Sequence, residues 1–204
     1  VRAYRQGTWP KPLPSEVVVG DAGFWDTSSL LGLAFKAPFI AIDTEYRAPL
    51  GVKWDDPAFR RQDAILDLIG VGWSAPDGDK VVQCHWGAAS STEHNFGIWL
   101  KALVAQVPVV FQNGMADIPL LQANLGIEVS DYCRIDDLML AHAVLWSEWP
   151  HDLEFLASLY SLYPKTKHLS KADPLLYNRG DVADTVRSWV NIQVELEADP
   201  LVKG

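Results

Sequence analysis

Apolar residues first come in short runs bounded by turn formers, and then in stretches where short runs alternate with helical spacing. The segment Ala37-Pro38-Phe39-Ile40-Ala41-Ile42-Asp43-Thr44-Glu45-Tyr46 reads as a buried strand that ends in acids. A polar, Arg-bearing loop over 49–63 follows it. Two more β-rich runs, 65–73 and 80–86, are separated by the turn former Pro76-Asp77-Gly78-Asp79 and predict an antiparallel pair beside the first strand. The spacing then predicts a helix over 95–106, a strand over 108–112, a helix over 115–125 and a short strand near 132–135. Helices are expected from 136 to 146, 152 to 160 and 174 to 197. Residues 1–37, rich in Pro and Gly, read as an irregular lead-in packed on a single domain spanning 38–204. Three early strands followed by alternating helices and strands predict an α/β sandwich, a mixed central β-sheet flanked by helices.

Composition narrows the class. The 204 residues are 49% hydrophobic and include nine Trp, ample material for one core, which argues against disorder. A formal net charge of −9 excludes broad adhesion to nucleic acid, which needs a basic surface. It does not exclude a nucleic-acid enzyme, because carboxylates that hold divalent metals put negative charge where a phosphate docks. Cys84 and Cys133 stand far apart and in no metal-ligand spacing, as expected of free thiols in a reducing cytosol. No apolar run approaches a membrane span and no signal peptide opens the chain, so the expected location is the cytoplasm of a bacterial or phage-infected cell, with no membrane partner.

Three segments carry candidate chemistry. In Asp43-Thr44-Glu45 the two acids are two apart on a strand and share a face, so both can aim at one point. Two unpaired acids on the buried side of a strand are costly, and a divalent cation removes that cost. In Phe111-Gln112-Asn113-Gly114-Met115-Ala116-Asp117 a short strand runs into a helix whose first turn holds Asp117. An acid there is also what the helix dipole favours, and Asn113 has the chemistry of an N-cap. In Tyr177-Asn178-Arg179-Gly180-Asp181 the phenol and the carboxylate are i and i+4 on one helix face, with Asp184 a rival near the same face.

Taken together, the order and placement of these segments resemble the DEDD superfamily of 3′→5′ exonucleases, over roughly residues 37–195. That resemblance implies a ribonuclease H-like fold. The Tyr177-x-x-x-Asp181 form is like the tyrosine branch, which includes proofreading domains of family A DNA polymerases and ribonuclease D-like enzymes. Asp136-Asp137-Leu138-Met139-Leu140-Ala141-His142, Pro150-His151-Asp152-Leu153-Glu154-Phe155-Leu156-Ala157 and Tyr177-Asn178-x-x-Asp181-Val182-x-x-Thr185 look most like the phage-type polymerases. His168-x-x-x-x-Asp173 has the spacing of the histidine branch, but Pro174 follows at once, so Asp173 is expected to cap the last helix and His168 to lie in the loop before it.

The resemblance implies hydrolysis with two divalent ions, Mg²⁺ or Mn²⁺. Asp43 would bridge them, Glu45 and Asp181 would complete the site of the attacking water, and Asp117 would support the second ion. Tyr177 is too weak a base to deprotonate water alone and is expected to orient it. Thr44, Asn113, Lys165, Lys167 and His168 are candidate substrate contacts. For Asn113 the choice between the scissile nucleotide and the helix start stays open. For the basic cluster the alternative is a solvated loop. The implied partners are a single-stranded DNA 3′ end and a polymerase domain in the same full-length chain. A stand-alone ribonuclease D-like exoribonuclease and a noncatalytic scaffold domain are the competing readings.

Overall fold

The computed structural model describes residues 28–53, 59–161 and 163–199, so the expected lead-in over 1–27 lies outside the described residues. Its last part is not irregular. Ser28–Ala34 forms a helix, α1, whose Leu31 and Ala34 are buried in the core. The strands are β1 (Ile40–Arg47), β2 (Ile65–Trp73), β3 (Lys80–His85), β4 (Val109–Phe111) and β5 (Ile135–Asp137). The remaining helices are α2 (Ser91–Val104), α3 (Ile118–Leu125), α4 (Leu138–Leu145), α5 (Leu153–Tyr160) and α6 (Pro174–Ala198).

One five-stranded mixed sheet runs in the order β3-β2-β1-β4-β5. β1 pairs antiparallel with β2 and parallel with β4, and β4 pairs parallel with β5. The expected antiparallel pair is present, with β2 and β3 in register from Leu68 opposite His85 to Trp73 opposite Lys80. Strand alternation sorts the core into two layers. Ile40, Ile42, Val109 and Phe111 pack with residues of α1, α2 and α3. Phe39, Ala41 and Val110 pack with residues of α4, α5 and α6 on the other face.

Local chemistry explains where elements begin. Ser90 and Glu93 form a capping box, which starts α2 at Ser91 rather than at the expected 95. The helix expected from 115 begins at Ile118, with Pro119 in its first turn, and the strand expected near 132–135 is Ile135–Asp137. Asp173 caps α6 as expected, accepting from the Leu176 amide at 2.9 Å.

α6 lies against the sheet because β2 offers it glycines. A Cβ on Gly70 would fall 2.3 Å from Asn178 Oδ1 and 2.8 Å from Val182 Cγ2. In the helix itself, a Cβ on Gly180 would meet Thr166 Oγ1 at 2.2 Å, so that glycine lets the preceding loop lie on α6. A buried network also ties the β2–β3 turn to α6: Asp79 accepts from Tyr163 Oη at 2.5 Å and from Arg187 Nε. Cys84 is buried and Cys133 exposed, and neither is in a disulfide. Among the described residues no helix is long and apolar enough to cross a membrane.

Candidate active site

The acids gather where β1 leaves the core. Phe39 and Ala41 face α6, and the alternation carries Asp43 and Glu45 onto the same side. A register shift between Glu45 and Tyr46 breaks the ladder with β2 just beyond them. Parallel pairing of β1 with β4 brings the loop after Phe111 to the same end of the sheet, and with it Asp117.

Asp117 occupies the N-cap position of α3 but makes no side-chain cap bond. The residue is 4% exposed and its carboxylate is held instead by Thr44: the amide donates to Oδ1 at 3.0 Å and the hydroxyl at 2.6 Å. Thr44 is thus itself buried and serves as a support for Asp117, which differs from the expected substrate contact. Its position between the two β1 acids turns it to the opposite side of the strand, where α3 begins. Asn113 is not the helix cap either. It adopts φ 61°, a left-handed conformation that Asn tolerates better than most residues, and lets the chain turn toward α3. The turn is fixed by the Gly114 amide, which donates to Asp137 Oδ2 at 2.8 Å.

From α6 come Tyr177 and Asp181, joined by a hydrogen bond from the phenol to the carboxylate. Asn178, fully buried, donates from Nδ2 to Asp43 Oδ2 at 2.7 Å and to the Asp43 carbonyl at 3.2 Å. The family-like segment Tyr177-Asn178-x-x-Asp181 includes Asn178 but gives no sign of its contact with Asp43; the signal available for that contact was Gly70, a strand glycine of the kind that admits a close approach. Asp184 points to a different partner, accepting a hydrogen bond from Ser161 Oγ. Asp173 is exposed at the helix start. The other carboxylates that electrostatically influence Asp43 are Asp117, Asp181 and Glu45.

A pocket beside the acids is lined by Tyr177, Asp181, Asp184, Asp152, Glu154, Lys165 and Lys167, among others. Both lysines are in ion pairs with Glu154, each at 3.2 Å. Lys167 is near enough to Asp181 to favour its ionised form. His168 is exposed in the 3₁₀ turn Lys167–Leu169 and is not among the pocket-lining residues.

Burial and mutual repulsion dominate the electrostatics. Burial, then the neighbouring Asp117, Asp181 and Glu45, hold the Asp43 carboxyl well above the usual range, against the Asn178 hydrogen bond. Burial and the same kind of crowding push Glu45 up to about 8. Burial raises Asp181 to about 6, with Tyr177 and Lys167 pulling the other way. Burial raises Asp184 to about 7. Burial and Asp181 push the Tyr177 phenol far up, so beside these carboxylates it keeps its proton and serves as a hydrogen-bond donor.

The donor set suits a hard divalent cation, since it is made of carboxylate oxygens that repel one another, and among the described residues no cationic side chain offsets them at Asp43. Among the described residues no three His, Cys, Asp or Glu groups stand in ligand geometry as their side chains lie. Three of the acids are instead engaged by protein donors: Asp43 by Asn178, Asp117 by Thr44 and Asp181 by Tyr177.

No protein-family model and no curated protein matches the chain. Solved structures of nucleases match it over nearly its whole length, and the fold they share with it is ribonuclease H-like. The catalytic core of RRP6 from Trypanosoma brucei is 17% identical, with a TM-score of 0.64 over 92% of this chain and 49% of that one. Escherichia coli RNase D, an exoribonuclease involved in structured RNA processing, is 18% identical, with a TM-score of 0.60 over 91% of this chain and 45% of that one. Brucella melitensis NrnC with bound Mg²⁺ is 15% identical, with a TM-score of 0.57 over 95% and 85%. The chain therefore spans about half the length of the first two.

Proposed function

We propose that this chain is a metal-dependent 3′→5′ exonuclease of the DEDD type that hydrolyses phosphodiester bonds at single-stranded 3′ ends. The observation that carries the reading is the convergence of Asp43, Glu45, Asp117 and Asp181 from three separate stretches of chain onto one end of β1. Those four would hold two Mg²⁺ or Mn²⁺ ions. When bound, such ions make hydroxide available from water near neutral pH and offset charge on the departing 3′ oxygen.

The protein's own groups then have defined tasks. Asn178 and Thr44 hold Asp43 and Asp117 in place. The Tyr177 phenol donates its one proton in a hydrogen bond to Asp181, which leaves its oxygen to accept from, and so orient, a donor such as the attacking water. Lys165 and Lys167, beside the pocket, are placed to meet a substrate phosphate in exchange for Glu154.

The nature of the strand has two readings. The local text around Asp136, His151 and Tyr177-Asn178 favours DNA, with proofreading for a polymerase domain in the same full-length chain. Fold neighbours include E. coli RNase D and a T. brucei RNase D in complex with RNA U12, and they favour an exoribonuclease. Matched 5′-labelled single-stranded DNA and RNA, incubated with Mg²⁺ or Mn²⁺, decide between them. Ladders shortening from the 3′ end are expected for one sugar in preference to the other, lost in EDTA and in Asp43→Ala with the fold intact. Full cleavage by Asp43→Ala, or none by the parent protein on either strand, overturns the proposal.

A further inference from the structure

We propose that Gln83 and Asn178 form a polarity relay that presets the Asp43 carboxylate to receive a cation, which makes both of them positioning residues. This rests on the exonuclease reading above and extends it to a residue on β3, a strand that contributes none of the acids.

The relay begins at the Leu175 carbonyl, which can only accept. Gln83 lies within 2.9 Å of it, so the amide nitrogen, not the oxygen, must face it. The same Nε2 lies 2.8 Å from the Asn178 side chain, so the atom presented there must be Asn178 Oδ1. Nδ2 of Asn178 is thereby turned toward β1, where it meets two acceptors, the Asp43 carbonyl at 3.2 Å and Oδ2 at 2.7 Å. Those two acceptors demand the same orientation independently. A carbonyl at each end leaves one consistent arrangement of both amides.

Three further observations fit this role. Both Gln83 and Asn178 are buried, at 1% and 0% exposure, so neither amide competes with water. Gln83 Oε1 is buried with no partner, a cost of the kind a purely structural glutamine would avoid. Gly70, opposite Asp43 in the β1–β2 ladder, has no side chain to displace Asn178 Oδ1. By engaging Oδ2, the relay directs how the Asp43 carboxylate is presented. Outer partners that orient a ligating carboxylate in this way are commonly worth about 10–100-fold in metal affinity.

The test is direct Mn²⁺ binding without nucleic acid, read from free-ion EPR, with thermal unfolding in EDTA measured beside it. Asn178→Ala removes the donor to Asp43. Gln83→Glu replaces the donor by an acceptor that draws Asn178 Nδ2 away from Asp43. Both are expected to weaken Mn²⁺ by about 10-fold or more while remaining folded, and Mn²⁺-supported cleavage should recover toward the parent rate as Mn²⁺ is raised. Gln83→Met keeps the volume and removes only the polarity. If the other two unfold, it decides alone, with a loss of about threefold, the worth of one hydrogen bond, supporting the relay and parent-like affinity overturning it. Folded Asn178→Ala and Gln83→Glu proteins that bind Mn²⁺ as the parent does overturn the relay while the exonuclease reading stands. A parent that binds no Mn²⁺, or whose binding survives Asp43→Ala, overturns both.

Discussion

Replacing Gly70 by alanine puts a methyl group into the contact between the sheet and α6. The new Cβ would sit 2.3 Å from Asn178 Oδ1 and 2.8 Å from Val182 Cγ2. Comfortable separation is about 3.5–4 Å, so something must move by roughly an ångström. Asn178 is poorly able to yield, since its side chain is tied to Gln83 on one side and Asp43 on the other. The helix must therefore lift, or the relay must break. Overpacking of this kind costs about 1–3 kcal/mol, and in a chain of this size each kcal/mol lowers Tm by about 2–4 °C. Thermal unfolding in EDTA measures the stability loss, and a cleavage assay at 25 °C measures the rate. With a typical stability of about 5–15 kcal/mol, Gly70→Ala stays folded at 25 °C, so a drop in rate there reports displaced Asp43 rather than unfolding. Gly32→Ala is the control: its Cβ meets nothing within 4 Å in α1, and it should stabilise by about 0.5–1 kcal/mol. A Gly70→Ala protein with the parent's Tm and rate refutes the account of why α6 sits where it does.

Metal-free stability should fall as pH rises. Carboxyls raised in the folded state bind protons there that the unfolded chain has released, so stability is greatest below the unfolded values and is lost up to the folded ones. That window runs from 4.5 to about 8 for Glu45 and from 3.8 to about 6 for Asp181. Tm in EDTA should decline from pH 5 to 8, and stabilisation by Mg²⁺ should grow over the same range; a flat profile contradicts the crowding of acids. Thr44→Val keeps shape but removes the 2.6 Å hydroxyl bond to Asp117, and urea unfolding should show a loss of about 1.5–3 kcal/mol, the range for a hydrogen bond to a charged group. No loss would mean the amide bond alone holds that acid. Tyr177→Phe should lower the cleavage rate while Mn²⁺ titration still shows binding. Asp181→Asn should collapse activity, whereas Asp173→Asn should cost only helix-cap stability. Asp184→Asn tests whether the Ser161-bonded acid is dispensable, and it should retain most activity.

The sheet was largely readable because its signals are local. β2 and β3 follow from apolar runs on either side of Pro76-Asp77-Gly78-Asp79, and α6 from a proline after a capping acid. The start of α2 was readable too, since Ser90-x-x-Glu93 is a capping box, but the apolar spacing pointed four residues later. α1 escaped because Ser28–Ala34 is a short segment with neither acidic first-turn nor basic last-turn residues, among Pro- and Gly-rich neighbours. The four acids and Tyr177 come within electrostatic reach of one another, because each sits at an element end or on one helix face. Their supports were not legible. Whether Thr44 faces a phosphate or Asp117 depends on which loop crosses β1, and the contact of Asn178 with Asp43 depends on Gly70 and Gln83, on strands distant from it in the chain. Lys165 and Lys167 read as substrate contacts or a solvated loop, and their pairing with Glu154, more than ten residues away, was not legible.

The convergence of acids also has a temporal side. Thr44 meets Asp117 across 73 residues of chain, and Asn178 meets Asp43 across 135. Contacts of such separation form late, after the loops between them have closed. A nascent chain emerging N-terminus first can pair β1, β2 and β3 while Asp181 and Asn178 have yet to be synthesised. No fragment ending before α6 owns a complete cation site or the relay that tunes it. If the proposed exonuclease reading holds, competence is withheld until α6 docks, because Asn178 and Asp181 arrive with that helix.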